Sequence, residues 1–165
     1  MENRGIKLGT FRVTDDRLHI SDPSYKYESG YVLENVLPGD YIASIDIMDD
    51  RVAFLRIIHK DYQGNFYEYE LETSDIGVDS GQAGIFNDSY YKENEGGEFE
   101  NYDTFYGKCC GITLSPDMAG IVDNQGVVAS SGYGDGLYTL YVGKENDKII
   151  FVCIDFSVDE DEEEI

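Results

Sequence analysis

The sequence predicts an all-β fold, either an antiparallel β-sandwich or a partly open barrel with one long acidic loop. Apolar and polar residues alternate with a period of two in most apolar stretches, and no stretch keeps a helical period. The 165 residues include 14 Tyr and 8 Phe, and aromatic residues favour strands. Clusters of Gly, Asn and Asp separate the apolar stretches, as turns between strands require.

The first half of the chain predicts two hairpins and a further strand. Residues 6–13 alternate as a strand, and residues 17–21 follow as its hairpin partner. Residues 40–48 alternate well, and Asp49-Asp50 turns the chain into residues 52–59. Because residues 52–59 are apolar on both faces, we expect them at the centre of a sheet. Residues 66–71 are expected as a third consecutive antiparallel strand.

The second half predicts the acidic loop and the remaining strands. Residues 87–104 are polar, acidic and rich in glycine, which indicates a long loop with one helical turn at residues 88–92. Loops of this length in compact domains are often functional. The other apolar stretches predict strands over 105–114, 127–131, 137–142 and 148–158.

The length predicts one domain. We place it at residues 1–158, which is long enough to bury a core without disulfides or metals. Residues 159–165 carry six consecutive acids and one final isoleucine. A block of like charges cannot bury apolar area, so these residues are expected to form a disordered acidic tail.

The charge balance narrows the classes of partner. The chain has 34 acidic and 12 basic residues, giving a formal net charge of −22. Such a surface repels phosphate backbones and anionic membranes, so neither nucleic acid nor a membrane is expected as a partner. A basic protein is the expected partner, drawn in by charge. The alternative is that the acids serve solubility alone.

The cysteine residues favour a reducing compartment. Cys109, Cys110 and Cys153 are odd in number, and two of them are adjacent, so they form no disulfide framework. Cys153 lies in an apolar strand, where a buried thiol is the ordinary interpretation. The first residues lack an apolar signal core, and no stretch is long enough to span a bilayer. A cytoplasmic location is therefore expected.

Two glycine-rich polar stretches form the candidate site, at residues 78–86 and 130–136. Each places small residues around a carboxylate, with a hydroxyl or amide nearby, and apolar residues flank both. Glycine lets the backbone approach a ligand closely, and such loops can present polar groups in a sheltered site. With the motif at residues 21–25, the predicted ligand-binding residues are Asp22, Tyr25, Asp79, Ser80, Gln82, Ser131, Tyr133 and Asp135.

Known catalytic and cofactor motifs fit poorly. The glycine spacing at residues 132–136 is wrong for a dinucleotide loop, and a strand follows where a helix is needed. A serine nucleophile elbow would need glycine at position 78, which is Val. No zinc-ligand spacing is present. No cofactor is expected, although the turn-borne carboxylates leave a Mg²⁺ or Ca²⁺ site open. These carboxylates are Asp22, Asp79, Asp88 and Asp135.

The motifs together resemble a bacterial and phage family, the domain-of-unknown-function family 4241. The matching motifs, in chain order, are Gly9-Thr10-Phe11, the Ser-Asp-Pro-Ser-Tyr stretch at 21–25, His59-Lys60-Asp61, Val-Asp-Ser-Gly-Gln-Ala-Gly at 78–84, and Ser-Gly-Tyr-Gly-Asp-Gly at 131–136. The resemblance spans nearly the whole chain and implies that three of the motifs share one site. Ser24 stands where the family often has Cys, which disfavours a cysteine nucleophile there. The family has no established activity.

Two functions of different class follow from these observations. The first is an acidic protein-binding module that contacts a basic partner, as an inhibitor or an immunity or anti-defence protein would. The second uses a pocket formed by the motifs of Asp22, Asp79 and Asp135. In that alternative the protein is a metal-assisted hydrolase or a small-ligand-binding domain. The sequence does not decide whether the protein is an enzyme.

Overall fold

The structure is a computed structural model that describes residues 4–62 and 70–157. Within these ranges, six strands form a first sheet: β1 (Arg4–Val13), β4 (Gly39–Met48), β5 (Arg51–His59), β6 (Glu70–Val78), β10 (Gly136–Glu145) and β11 (Lys148–Asp155). Five strands form a second sheet: β2 (Leu18–Ser21), β3 (Tyr31–Leu33), β7 (Gln82–Asn87), β8 (Ala119–Val122) and β9 (Gly126–Ser130). The helices are α1 (Asp88–Asn94) and α2 (Phe105–Thr113), with short 3₁₀ turns at Tyr27–Ser29 and Lys60–Tyr62.

The two sheets pack face to face as an antiparallel sandwich. The first sheet has the order β1-β4-β5-β11-β10-β6, and the second has the order β3-β2-β7-β9-β8. All strand pairs between named strands in the described residues are antiparallel, and neither sheet closes into a barrel there. The predicted all-β class is confirmed, as is the central position of β5.

The main core lies between the sheets, and a smaller layer covers the second sheet from outside. The inner core takes side chains from both sheets, among them Phe11, Leu55 and Ile85. On the outer face of the second sheet, α1 and α2 pack against β7 and β9 through an aromatic cluster. Strand β7 is buried along its whole length because it is covered on both faces. Neither helix of the described chain is long and apolar enough to cross a membrane.

Three tight turns fix the register of three hairpins. Each places two Asp or Asn residues at positive φ, at Asp49-Asp50, Asp123-Asn124 and Asn146-Asp147. Two consecutive left-handed residues match the twist of the flanking strands, and Asn and Asp tolerate this conformation better than other residues with a side chain. The turn predicted at Asp49-Asp50 is confirmed.

The predicted hairpin between the first two strands is wrong. Strand β1 pairs with β4, whereas β2 pairs with β3 and β7 in the other sheet. The connection at residues 14–17 therefore crosses between the sheets, and the Thr14 amide donates to Asn87 Oδ1 at 3.2 Å. Val13 and Leu18 enter the same core from opposite sheets. Alternation shows that a strand has a buried face, but not which sheet it joins.

The strand predicted over residues 105–114 is also wrong, because α2 occupies this stretch. Thr104 is the N-cap, and its hydroxyl accepts the Gly107 amide at 3.2 Å. Phe105 and Cys109, one helical turn apart, pack on the second sheet. The helical turn predicted at residues 88–92 is confirmed and continues as α1.

Two predictions concern residues outside the described ranges. The strand predicted over 66–71 lies mostly there, and β6, which begins at Glu70, pairs with β10 rather than with β5. The predicted tail at 159–165 lies wholly outside the described residues.

Candidate functional site at the crossovers

The two glycine-rich stretches are neighbouring crossovers between the sheets. One leads from β6 in the first sheet to β7 in the second, and the other leads from β9 back to β10. Because β6 pairs with β10 and β7 pairs with β9, both crossovers lie at the same end of the sandwich. Val78 faces Gly136 across the strand pair, and the Ser131 amide donates to the Gly81 carbonyl at 2.9 Å.

Asp22 ties the third motif to the first crossover. Its carboxylate is fully buried. Oδ2 accepts the amides of Asp79 at 2.7 Å and Ser80 at 2.6 Å. Oδ1 accepts the Ser24 amide at 2.8 Å and the Ser80 hydroxyl at 2.6 Å. Four donors thus satisfy a carboxylate that has about four acceptor positions. Asp22 is not available as the metal ligand or general base that the alternative function required.

The exposed carboxylates gather around Tyr25 at the rim. The Tyr25 phenol donates to Asp79 Oδ2 at 2.7 Å. Desolvation raises the pKa of this phenol, and the charges of Asp79, Asp22 and Asp135 raise it further. Asp79 and Asp135 are exposed to solvent. In the described part of the chain, no group of three or more His, Cys, Asp or Glu side chains is placed to hold a metal ion.

The second crossover is shaped by its own hydrogen bonds. The hydroxyls of Ser131 and Tyr138 both donate to the Gly134 carbonyl, each at 2.7 Å. At Gly132, where φ is +65°, an added Cβ would lie 2.2 Å from the Val52 carbonyl oxygen. The Arg51 guanidinium lies 5.0 Å from the centre of the Tyr133 ring. Gly132 and Tyr133 therefore pack the crossover against β5 of the first sheet, and Ser131 fixes the turn within it.

A pocket of about 260 Å³ opens between the first crossover and α2. Ser80 and Gln82 line it together with Tyr106, Cys110 and Thr113 of α2. The Gln82 side chain is fixed by α2, since Oε1 accepts the Thr113 hydroxyl at 3.2 Å and Nε2 donates to Cys110 Sγ at 3.5 Å. Burial raises the pKa of the Tyr106 phenol, with a further contribution from Cys110. At neutral pH this phenol is protonated.

The pocket contains functional candidates that sequence reasoning missed. Tyr106, Cys110 and Thr113 were missed because residues 105–114 were assigned to a strand, which puts Cys109 and Cys110 on opposite faces. In α2 both cysteines are buried, Cys109 against the second sheet and Cys110 at the pocket. The cap residue Thr104 before the stretch was the signal that could have located the helix.

Residues 93–103, here called the acidic segment, run from the last two residues of α1 to the residue before the N-cap of α2, beside this pocket. The segment holds five acids and no basic residue, and every residue in it is exposed. Two aromatic side chains within it are also exposed, Phe99 by 50% and Tyr102 by 61%. Phe99 forms part of the pocket wall, next to Leu114, which is exposed by 69%. The acids therefore share an exposed segment with two aromatic side chains, one of which forms part of the pocket wall.

The acidic segment is held by specific contacts. The Thr104 hydroxyl donates to the Asn101 carbonyl at 2.6 Å, and the Tyr106 amide donates to the Gly96 carbonyl at 2.9 Å. Gly107 lets α2 approach the segment, because an added Cβ would lie 1.8 Å from the Asn101 carbonyl oxygen. Glu95 Oε1 also accepts the Tyr27 amide at 2.9 Å. The exposed aromatics therefore stand on a fixed backbone.

A buried histidine lies beneath α1. The His19 ring stacks on Tyr91 with ring centres 3.9 Å apart and on Tyr27 with centres 5.0 Å apart. Its Nδ1 lies 3.6 Å from Asp88 Oδ1, and neither ring nitrogen has a hydrogen-bond partner. Burial lowers the pKa of His19 to about 4, although Asp88 and Glu95 oppose the shift.

Comparison with protein-family models, with curated proteins and with solved structures found no match to this chain. The resemblance to family 4241 therefore stays a prediction.

The structure brings the predicted site residues to one end of the sandwich but divides them by environment. Asp22 and Ser131 are buried in the crossovers, Asp79 and Asp135 lie on the exposed rim, and only Ser80 and Gln82 face the pocket. Tyr25 and Tyr133 are half-buried beside the crossovers.

Proposed function

We propose that the protein is an acidic binding module that contacts a basic protein partner through the acidic segment and the pocket beside it. The observation that carries the proposal is the exposure of Phe99 and Tyr102 on a fixed segment whose charged residues are all acidic. Aromatic side chains contribute much of the energy at protein interfaces, whereas a ring exposed to water contributes little to the fold.

The hydrogen bonds of the acidic segment support this proposal. Binding costs free energy when loops and side chains must be ordered, and a surface that is already ordered avoids part of that cost. Thr104 and Gly107 hold the backbone around Asn101 in the free protein. The acids then act at long range, since unlike charges speed association and disfavour acidic competitors.

The chemistry of the surface suggests the kind of partner. A basic enzyme that acts on nucleic acid, or a basic toxin, carries a surface complementary to this one. A protein that covers such a surface works as an inhibitor or as an immunity or anti-defence protein. The proposal includes a cytoplasmic location, in keeping with the three free, buried cysteine residues.

The alternative of a metal-assisted hydrolase has less support. It required Asp22 as a ligand or base, and four protein donors already engage that carboxylate. Asp79 and Asp135 lie in solvent, where a carboxylate pair without a third ligand binds Mg²⁺ or Ca²⁺ weakly. For the alternative of a small-ligand-binding domain, the pocket is a better binding site than the exposed carboxylates.

The test is capture of the partner with matched variants. The wild-type protein, immobilised, is used to capture proteins from a lysate of its source cells, and a captured protein is then purified and titrated. We expect a protein of basic isoelectric point whose affinity falls about tenfold or more in both Phe99→Ser and Tyr102→Ser, as for interface anchors.

A variant on another face supplies the control. Ile6 is an exposed apolar residue on β1, and Ile6→Ser should leave the affinity unchanged. The proposal fails if the purified partner is acidic, or if Phe99→Ser and Tyr102→Ser bind as the wild type does.

A further inference from the structure

The pocket beside the acidic segment has a lining of unusual chemistry. Among the described residues that line it, none carries a charge. The hydroxyl proton of Ser80 is donated to Asp22 Oδ1, and that of Thr113 is donated to Gln82 Oε1. Each hydroxyl has one proton and two lone pairs, so both have only acceptor capacity left for a ligand. Ser130 also lines the pocket, but it accepts the Gly132 amide at 3.3 Å and keeps its own proton as a donor.

A ligand for these acceptors must supply donors and should not be an anion. The buried Asp22 carboxylate lies one hydrogen bond behind Ser80, at 2.6 Å from its hydroxyl. The acidic segment adds further negative charge at the mouth. Guanidinium has five N–H donors and no acceptor, and it is always charged at physiological pH. It also desolvates more readily than an ammonium group, which suits a pocket with an apolar mouth.

The shape of the pocket fits a side chain better than a free metabolite. Its volume of about 260 Å³ lies below the range of roughly 300–1,000 Å³ that is typical of drug-sized ligands. Phe99, Tyr106 and the exposed Leu114 are part of the wall. Aromatic rings attract a planar guanidinium through both stacking and cation–π contact.

We infer that this pocket receives an arginine side chain of the basic partner, an inference that rests on the proposed function. The guanidinium donates to the oxygen atoms of Ser80 and Thr113, while Phe99 and Tyr106 contact its flat face. Arginine is enriched at the centres of protein interfaces, and its contacts in such pockets are often the strongest of the interface. The pocket thereby gives a generally acidic surface a point of specificity.

The test uses the isolated protein and a small probe. Nα-acetyl-arginine N-methylamide is titrated into the ¹⁵N-labelled protein, and amide shifts are followed by NMR. We expect saturable shifts at Gly81, Gln82 and Leu114, which line the pocket. The citrulline analogue has the same shape without the charge, and we expect it to bind about tenfold more weakly, as the loss of a cation–π contact implies. The lysine analogue should also bind more weakly.

Two variants locate the probe. Leu114→Lys puts a competing cation at the pocket mouth, at a position exposed enough to spare the fold, and should abolish the shifts. Ile6→Ser lies outside the lining, on β1, and should leave them unchanged. Equal binding of the citrulline or lysine analogue would overturn the guanidinium assignment. Shifts that persist in Leu114→Lys, or no saturable shift at all, would overturn the pocket assignment.

The probe experiment and the capture experiment can fail separately. If the arginine probe does not bind but the captured partner still requires Phe99 and Tyr102, the pocket inference is wrong and the proposed function stands. In the opposite case the probe binds at the pocket, but no captured partner loses affinity in Tyr102→Ser. The pocket then binds a guanidinium group, but the proposed protein interface is wrong. The arginine inference then fails as a statement about a partner protein.

Discussion

Asp22 joins its own motif to the first crossover through one side chain, and its backbone carbonyl adds a contact to α1. Its carboxylate accepts hydrogen bonds from Ser24, Asp79 and Ser80, and the adjacent carbonyl of Asp22 accepts the Tyr91 hydroxyl at 3.2 Å. These acceptors lie in the buried end of the sandwich. If the Asp22 carboxylate were removed, each donor would lose its hydrogen-bond partner without gaining a water molecule in its place. The Ser-Asp-Pro-Ser-Tyr motif is thus explained by structure before any ligand is considered.

We expect Asp22→Asn to lower the free energy of unfolding by about 2–4 kcal/mol, since the amide group would face N–H donors with hydrogen atoms of its own. Urea denaturation followed by circular dichroism measures the change. Asp79→Asn is the matched control, because that carboxylate is exposed and accepts the Tyr25 phenol. Its cost should stay below about 1 kcal/mol. Equal costs would refute the anchoring role of Asp22.

His19 predicts a dependence of stability on pH. Its pKa is about 4 in the folded protein against 6.5 for the free residue, so the unfolded chain takes up a proton first as the pH falls. The contribution of neutral His19 is therefore fully present above pH 6.5 and is lost between pH 6.5 and about 4. The pKa difference corresponds to about 3 kcal/mol.

NMR titration of the imidazole protons reports the pKa of His19 directly, and melting temperatures across the same pH range report its effect on stability. Between pH 6.5 and 4, the melting temperature of the wild type should fall partly because His19 takes up a proton in the unfolded chain. In His19→Gln this part of the fall should disappear. A His19 imidazole that titrates near 6.5 in the folded protein would contradict the description of a buried, neutral ring.

At the scale of elements, α2 and the acidic segment stabilise each other. Gly107→Ala would normally favour a helix by about 1 kcal/mol. Here the added Cβ would lie 1.8 Å from the Asn101 carbonyl oxygen. We expect a net loss of stability of about 1–3 kcal/mol, as for other overpacked sites. Thermal denaturation measures it, and weaker partner binding should accompany it.

Gly111 provides the matched control in the same helix. An added Cβ there would lie 3.3 Å from the ring of Tyr102, an exposed side chain that can move. Gly111→Ala should therefore be neutral or stabilising by up to about 1 kcal/mol. If both alanine variants stabilise the protein, the close packing of the acidic segment on α2 is disproved.

The sequence predicted individual strands better than their partners. Residues 40–48 and 52–59 form the hairpin that was expected, because local turn chemistry at Asp49-Asp50 determines their pairing. Residues 6–13 also form a strand, yet their pairing with β4 depends on a contact some 30 residues away in the chain, as the Arg12–Asp40 pair shows. Periodicity carries no information about such distant partners.

Helix α2 was missed because its apolar residues do not form one clean stripe. It is buried on one side by the second sheet through Cys109 and on another by the pocket through Cys110. The candidate site was predicted in part. Glycine composition indicated where the crossovers lie, but Ser80 and Gln82 needed α2 to become the wall of a pocket.

At the scale of the whole molecule, the net charge of −22 acts on the fold as well as on partners. Like charges repel more strongly in the compact state, and salt screens them over about 10 Å at 0.1 M. We expect the melting temperature to rise as sodium chloride increases from 10 to about 300 mM, the range over which the screening length falls most. A melting temperature that falls with salt would show that ion pairs outweigh the repulsion.

The central claim is that the acids of one segment, rather than the net charge alone, recruit the partner. The direct measurement is the association rate of the purified partner at two salt concentrations. We compare Gln variants of Glu93, Glu98 and Glu100 with Asn variants of Asp16, Asp61 and Asp147. Each triple variant removes three exposed negative charges.

We predict that the Glu triple variant slows association and flattens its salt dependence, because these acids lie beside Phe99 and Tyr102. The Asp triple variant, whose charges lie elsewhere on the molecule, should retain nearly the wild-type rate. Association that is insensitive to salt, or that both triple variants slow equally, would contradict the account.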